Sequence, residues 1–142
     1  MSIKKLLALA GAAAFIAASG PAQADIKIGV VLALTGPNAS LGVPYRKGVE
    51  LFPKEIGGEK VQLIFLDDAS DPTAAGKNAR RFADADKVDA IIGSTTVPTS
   101  LAVAEVAGEA KIPQIALAPF PPKQIQWVFP LPHGVGVMSA AL

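Results

Sequence analysis

Four short apolar, β-branched runs alternate with stretches of helical spacing, and this alternation restricts the fold more than any other feature. Residues 26–32 read IKIGVVL and stop at Thr35-Gly36-Pro37, which is the signature of a buried strand. Tyr45, Val49, Phe52 and Ile56 then follow at spacings of four, three and four, one face of a helix. Pro44 suits the first turn of that helix, Pro53 should kink or end it, and Gly57-Gly58 stop it. Residues 61–66, VQLIFL, predict a second strand. Asp71 then offers an N-cap with Pro72 at the first helical position. The second helix runs to about Lys87, with Ala75, Ala79, Phe82 and Ala83 on one face. Residues 88–92 predict a third strand. A third helix starts near Thr96 to Pro98, carries Leu101, Val103 and Ala104, and ends at Gly108. Residues 112–117 form a fourth strand with Pro113 near its start, and 127–129 a short fifth. Residues 119–132 hold five prolines and read as an ordered extended loop. Residues 135–142 look like the beginning of another helix. Apolar strands joined by helices predict an α/β fold, a doubly wound parallel sheet covered on both faces, with right-handed crossovers. An unpaired sheet edge is expected around residues 88–92 or 112–117.

The segment 1–24 stands apart from this pattern. Lys4 and Lys5 precede a 13-residue run, Leu6 to Ala18, that is apolar apart from Gly11, and Ala22-Gln23-Ala24 supplies a small-x-small cleavage site. That is the pattern of a secretory signal peptide, and the run is short of the roughly 20 residues that span a bilayer. A mature domain of residues 25–142 is expected, soluble and periplasmic. Losing the two lysines takes the formal charge from +1 to −1, far from the basic excess of a nucleic-acid binder. The chain has no cysteine and its one histidine is His133. Disulfides, thiolate chemistry and sites needing two imidazoles are therefore excluded. His133, between Pro132 and Gly134, reads as an exposed loop residue.

Ligands of open parallel sheets bind beyond the carboxyl ends of the strands. The loop there after the third strand, Gly93-Ser94-Thr95-Thr96-Val97-Pro98-Thr99-Ser100, holds five hydroxyls in seven residues. Hydroxyls at a helix N-terminus suit a carboxylate, although Thr95 or Thr96 could equally serve as a plain cap. The loop 36–42 lacks the endings of a P-loop or a dinucleotide site. Asp67, Asp68 and Asp71 invite metal or phosphoacceptor readings, but both need partners this loop does not supply, and a turn with an N-cap accounts for them.

Together IKIGVVLALTGPNASLG, LDDASDP, KVDAIIGSTTVPTSLAVAEVAGEAKIP and WVFPLP resemble the periplasmic substrate-binding proteins of ABC transporters, of the branched-chain amino acid (Leu/Ile/Val) type. The resemblance runs from about Ile26 to Leu142. It implies two α/β lobes closing on a ligand, of which this chain matches the N-terminal part of the first, without the hinge and second lobe. It implies no cofactor, no metal and no catalysis. The partners it implies are a small amino acid or related carboxylate and an inner-membrane ABC permease. The family's carboxylate positions fall at Thr95, Thr96 and Val97. Val97 stands where a family serine usually donates; a second patch falls at Ala118, Pro119 and Phe120, where Phe120 replaces an expected hydroxyl; and Leu41 stands where an aromatic side chain often precedes the glycine of the first loop. These departures point toward an aromatic acid, an amide or another small carboxylate as much as toward leucine.

Two other functions are compatible with parts of the sequence: a ligand-binding sensor lobe reporting to a receptor, and, more remotely, a periplasmic hydrolase. The hydrolase needs a nucleophile and base for which only His133 is available. The signal-peptide reading predicts that exported protein begins at Asp25 on N-terminal sequencing. A start at Met1 would contradict it.

Overall fold

The computed structural model describes residues 25–119 and 126–132. Strand β1 (Ile26–Leu32) leads through a turn into helix α1 (Ala39–Val49), and a short hairpin joins β2 (Glu55–Ile56) to β3 (Glu59–Asp67). Helix α2 (Pro72–Arg81) continues through a π-helical turn, Phe82–Asp86, to β4 (Ala90–Ile92). Helix α3 (Val97–Ala110), β5 (Gln114–Ala116) and β6 (Val128–Pro130) follow. The described strands make one six-stranded sheet in the order β2-β3-β1-β4-β5-β6. Every pairing is parallel except that of β2 with β3.

The strand pleat of β1 sorts the core. Val31 faces α2 and α3, where Ala75, Ala79, Phe82, Val103, Val106 and Ala107 meet Ile91 in one buried cluster. Val30 and Leu32 face the other way, with Ile92, Leu117 and Val49 of α1. Alternate residues of a strand point to opposite faces, so the run from Val30 to Leu32 is apolar without a break because both faces of β1 are buried there. The α1 face is the thinner one. Leu41, Val43 and Tyr45 stay exposed, and Arg46 of α1 reaches over the Phe65 ring at 5.1 Å.

Local chemistry explains the helix boundaries. The Asp71 side chain accepts a hydrogen bond from the N–H of Ala74 at 2.7 Å, and Pro72 follows it at the first helical position. Lys87, with φ of 54°, ends the second helical segment in the left-handed conformation. Lys111 ends α3 the same way, so that its last residue, Ala110, lies two past the expected Gly108.

Three expectations need correction. The helical face from Tyr45 to Ile56 is not one helix: α1 ends at Val49, and Ile56 lies in β2. Pro53 and the two glycines at positive φ turn the chain into a hairpin instead. Pro44 lies inside α1 rather than in its first turn, because the helix already begins at Ala39. The stretches 88–92 and 112–117 are not edges. β4 lies between β1 and β5, and β5 pairs with β6, so the described edges are β2 and β6. The segment 1–24, Phe120, His133 and residues 135–142 lie outside the described residues.

Gly29 packs face-on against the larger core. A Cβ there would stand 2.7 Å from the ring of Phe82, itself fully buried. Gly29→Ala should therefore destabilise the fold by about 1–3 kcal/mol, the range for overpacking. Urea unfolding checks this: the midpoint falls if the ring is locked, and an unchanged midpoint would show that Phe82 yields freely.

Candidate functional site

The strand register gathers the site. Leu32 stands opposite Asp67 on β3, and Val30 opposite Ile92, which stands opposite Ile115. The loops after β1, β3, β4 and β5 therefore emerge along one edge of the sheet. Two glycines allow the close approach. A Cβ on Gly42 would lie 2.0 Å from the carbonyl oxygen of Ala33, and one on Gly93, at φ of 121°, would lie 1.9 Å from that of Val31. Only glycine fits either place.

Asp67 and Asp68 are neighbours with opposite fates. Asp67 closes the β1 loop: it accepts from the N–H of Leu34 at 2.9 Å, the N–H of Thr35 at 3.2 Å, the Thr35 hydroxyl at 2.6 Å and the N–H of Ala69 at 2.8 Å. Desolvation acts to raise its pKa, but these bonds, led by that from the Thr35 hydroxyl, together outweigh it, and the pKa is lowered from 3.8. Asp68 is fully buried. Burial raises its pKa, and the nearby Asp67 and Asp71 charges add to that, against the bonds from Ser94 and from the N–H of Ser70 at 2.9 Å.

The β4–α3 loop carries the hydroxyls. Ser94 donates to the Asp68 carboxylate, and its own oxygen accepts the N–H of Thr95 at 2.6 Å. The carbonyl of Ser94 accepts from the Ser100 hydroxyl at 2.7 Å and the N–H of Leu117 at 3.3 Å. Gln114, buried in β5, donates to the carbonyls of Gly93 at 2.6 Å and Ser100 at 3.2 Å. Thr96 is the N-cap residue of α3. Its hydroxyl pairs with that of Thr99 at 2.8 Å, and its N–H donates to Thr99 Oγ1 at 3.3 Å. The capping role thus falls to Thr96. Thr95 differs: its Oγ1 is buried without a hydrogen-bond partner among the described residues, as is Gln114 Oε1. A buried hydroxyl without a partner is unusual in a folded protein.

The sequence-selected residues are placed as follows. Thr95, Thr96 and Val97 surround the start of α3, and Val97 is its first residue. Because Pro98 lacks an N–H, the N–H of Val97 leads the helix's backbone donors. Ala118 is buried and Pro119 half-buried, directly after Leu117, whose N–H reaches Ser94. Leu41 is on α1, 47% exposed, beside the Gly42 that packs on Ala33. Sequence reading missed the parts played by Asp68, Ser94 and Gln114. A signal for Asp68 was present, since adjacent carboxylates at the end of a strand point to opposite faces. Among the described residues no cluster of His, Asp or Glu could hold a metal ion, and no helix is long and apolar enough to cross a membrane.

Residues 25–132 match the family model for the periplasmic binding proteins. The chain belongs to that family. It is 39% identical over 112 residues to a Leu/Ile/Val-binding protein homolog 1 of Brucella abortus (strain 2308), covering 72% of this chain and 30% of the relative. An extracellular ligand-binding receptor from Rhodopseudomonas palustris HaA2 superposes with a TM-score of 0.80 at 43% identity, covering 83% of this chain and 34% of that one. A solute binding protein of an ABC transporter from Rhodopseudomonas palustris BisB5, solved in complex with 3,4-dihydroxy benzoic acid, superposes with a TM-score of 0.65 at 31% identity, covering 67% and 28%. The chain thus spans about a third of the length of the relatives it matches. The fold is that of part of one lobe of a type I periplasmic binding protein.

The two aspartates predict a pH signature. Folded Asp67 holds its proton less tightly than unfolded Asp67. Its contribution to stability is complete above pH 3.8 and is lost as the pH falls through its lower folded value. Asp68, with the raised pKa, acts in the opposite sense: just above pH 3.8 the folded state holds more protons, and stability falls as pH rises there. Asp67→Asn should cost about 1 kcal/mol at pH 7, a small value because solvent screens this exposed group. Comparing urea midpoints of the two proteins from pH 7 to pH 3 should show that difference shrinking only below pH 4. A difference independent of pH would contradict the assignment.

Proposed function

We propose that the chain takes part in extracytoplasmic solute binding for ABC-type uptake, holding a branched-chain or related amino acid or another small carboxylate, without catalysis. The observation that carries the reading is the buried hydroxyl of Thr95, without a partner among the described residues, beside the N-terminus of α3. A hydroxyl donor and a helix N-terminus together complement a carboxylate, through hydrogen bonding and the positive end of the helix dipole. Thr95, Thr96, Val97, Ala118 and Pro119 form this wall and Leu41 its flank; Phe120, the next position in the sequence, lies outside the described residues. The names of the relatives support both ligand classes: a branched-chain amino acid for the Brucella protein and an aromatic acid for the Rhodopseudomonas one. The domain assignment follows the same reading, with 1–24 a cleaved signal peptide, 25–142 part of a first lobe in the periplasm, and an ABC permease receiving the solute.

This wall alone leaves a ligand open to water. Exposed hydrogen bonds and a helix end contribute a few kcal/mol, whereas association costs at least about 4. A free amino acid should therefore bind the 142-residue chain with a dissociation constant of about 1 mM or weaker.

The test is a ¹H–¹⁵N shift titration of the chain with L-leucine, L-phenylalanine and 3,4-dihydroxybenzoate, with 3-methylbutylamine as a control lacking the carboxylate. Carboxylates should shift the amides of Thr95 to Val97 and of Ala118, and the amine should not. Thr95→Val should weaken carboxylate binding by about 1–3 kcal/mol, the scale of a charge-assisted hydrogen bond. Equal response to acid and amine, or an indifferent Thr95→Val, would sink the reading.

A further inference from the structure

The Asp68 side chain has no place among the ligand-facing groups, yet it is the only fully buried carboxylate among the described residues. It begins just past β3 and bonds to Ser94 just past β4. Those two strands flank β1 on either side, so the bond crosses the carboxyl end of β1. The N–H of Asp68 also donates to the carbonyl of Leu32 at 3.0 Å, which ties the same residue to β1 itself. One Asp68 oxygen takes the N–H of Ser70 and the other the Ser94 hydroxyl. Ser94 then holds the N–H of Thr95. Asp68, Ser94 and Thr95 are thus linked through consecutive hydrogen bonds ending one residue before the N-cap of α3.

We propose that Asp68 is a positioning residue for ligand binding: its carboxylate, acting through Ser94, fixes the Thr95 backbone and so sets where the Thr95 hydroxyl and the α3 N-terminus meet a ligand carboxylate. This inference rests on the site reading above and deepens it. The ionised form satisfies both donors, since a carboxylate accepts from Ser70 and from Ser94. A proton on the oxygen facing Ser94 reverses that bond: the Ser94 oxygen then accepts it as well as the Thr95 N–H, and its own hydroxyl must turn to another acceptor, which disturbs the geometry at Thr95. The charged groups bearing on Asp68 are Asp67 and Asp71 of its own loop. The β1 end from Leu32 to Thr35 and the loop from Gly93 to Thr96 bring no titratable side chain toward it. Burial beside two like charges places the Asp68 transition above 3.8, and that of Asp67 below it, so the two are separable.

The experiment follows the Thr95 amide by ¹H–¹⁵N NMR from pH 7 to pH 3 in the wild type, Asp68→Asn and Ser94→Ala. It then measures the affinity of each protein and of the double variant for L-leucine and 3,4-dihydroxybenzoate by shift titration at pH 7. The wild-type Thr95 amide should inflect above pH 3.8, and both variants should lose that inflection. Affinity should fall about tenfold in either variant, the scale of one buried hydrogen bond. It should fall no further in the double variant, since both remove the same link. A Thr95 amide without an inflection above pH 3.8 in the wild type, wild-type affinity in Asp68→Asn and Ser94→Ala, or additive losses would each overturn the positioning role. Failure of the site itself looks different: no ligand then shifts Thr95 to Val97 in the wild type.

Discussion

The structure depends on β1 being paired in parallel on both sides. Parallel pairing aligns the carboxyl ends of neighbouring strands, so the loops after β1, β3, β4 and β5 must share one edge. It also buries both faces of β1 from Val30 to Leu32, and this is why those residues are apolar without alternation. Two glycines near this edge, one in α1 and one after β4, follow from the same constraint. Gly42 lets α1 sit against the backbone of Ala33, and Gly93 lets the β4 loop pass the carbonyl of Val31. That several loops meet at this edge, where open parallel sheets take their ligands, is a consequence of topology before any side chain is considered.

Polar groups at this edge divide into those consumed by the architecture and those left over. Asp67 is saturated by the β1 loop, Asp71 by the start of α2, and Thr96 by Thr99. Asp68 and Gln114 are buried and hold the loop from Gly93 to Ser100 from two sides. The five hydroxyls of that loop are therefore not equivalent. Ser94, Thr96, Thr99 and Ser100 each have a protein partner, and Thr95 Oγ1 has none among the described residues. On the proposed carboxylate reading, selectivity over other small solutes would rest on one hydroxyl and a helix end, held in place by bonds the ligand does not touch.

The order of elements was legible in the sequence because apolar runs and helical spacing report burial directly. β1 matches the expected bounds, α2 starts at the Pro72 that follows its Asp71 cap, and α3 starts within the expected window. The first helix was overextended because Phe52 and Ile56 continue the helical period although the chain has already turned. Periodicity cannot distinguish an amphipathic helix from a helix followed by a hairpin of similar phase. The unpaired edges were misplaced because strand order is a property of crossovers, which leave no local mark. In the site, the loop from Gly93 to Ser100 stood out through its hydroxyls. Which hydroxyl is free depends on tertiary partners such as Asp68 and Gln114, and their burial is invisible in a single sequence.

The most direct test is a crystal structure of the chain grown with saturating L-leucine or 3,4-dihydroxybenzoate. The account predicts a carboxylate within hydrogen-bond distance of Thr95 Oγ1 and the N–H of Val97, at the carboxyl edge of the sheet. A ligand seated instead in the groove between Phe52, Val61 and Leu63 near the β2–β3 hairpin, with the Thr95 hydroxyl untouched, would contradict it.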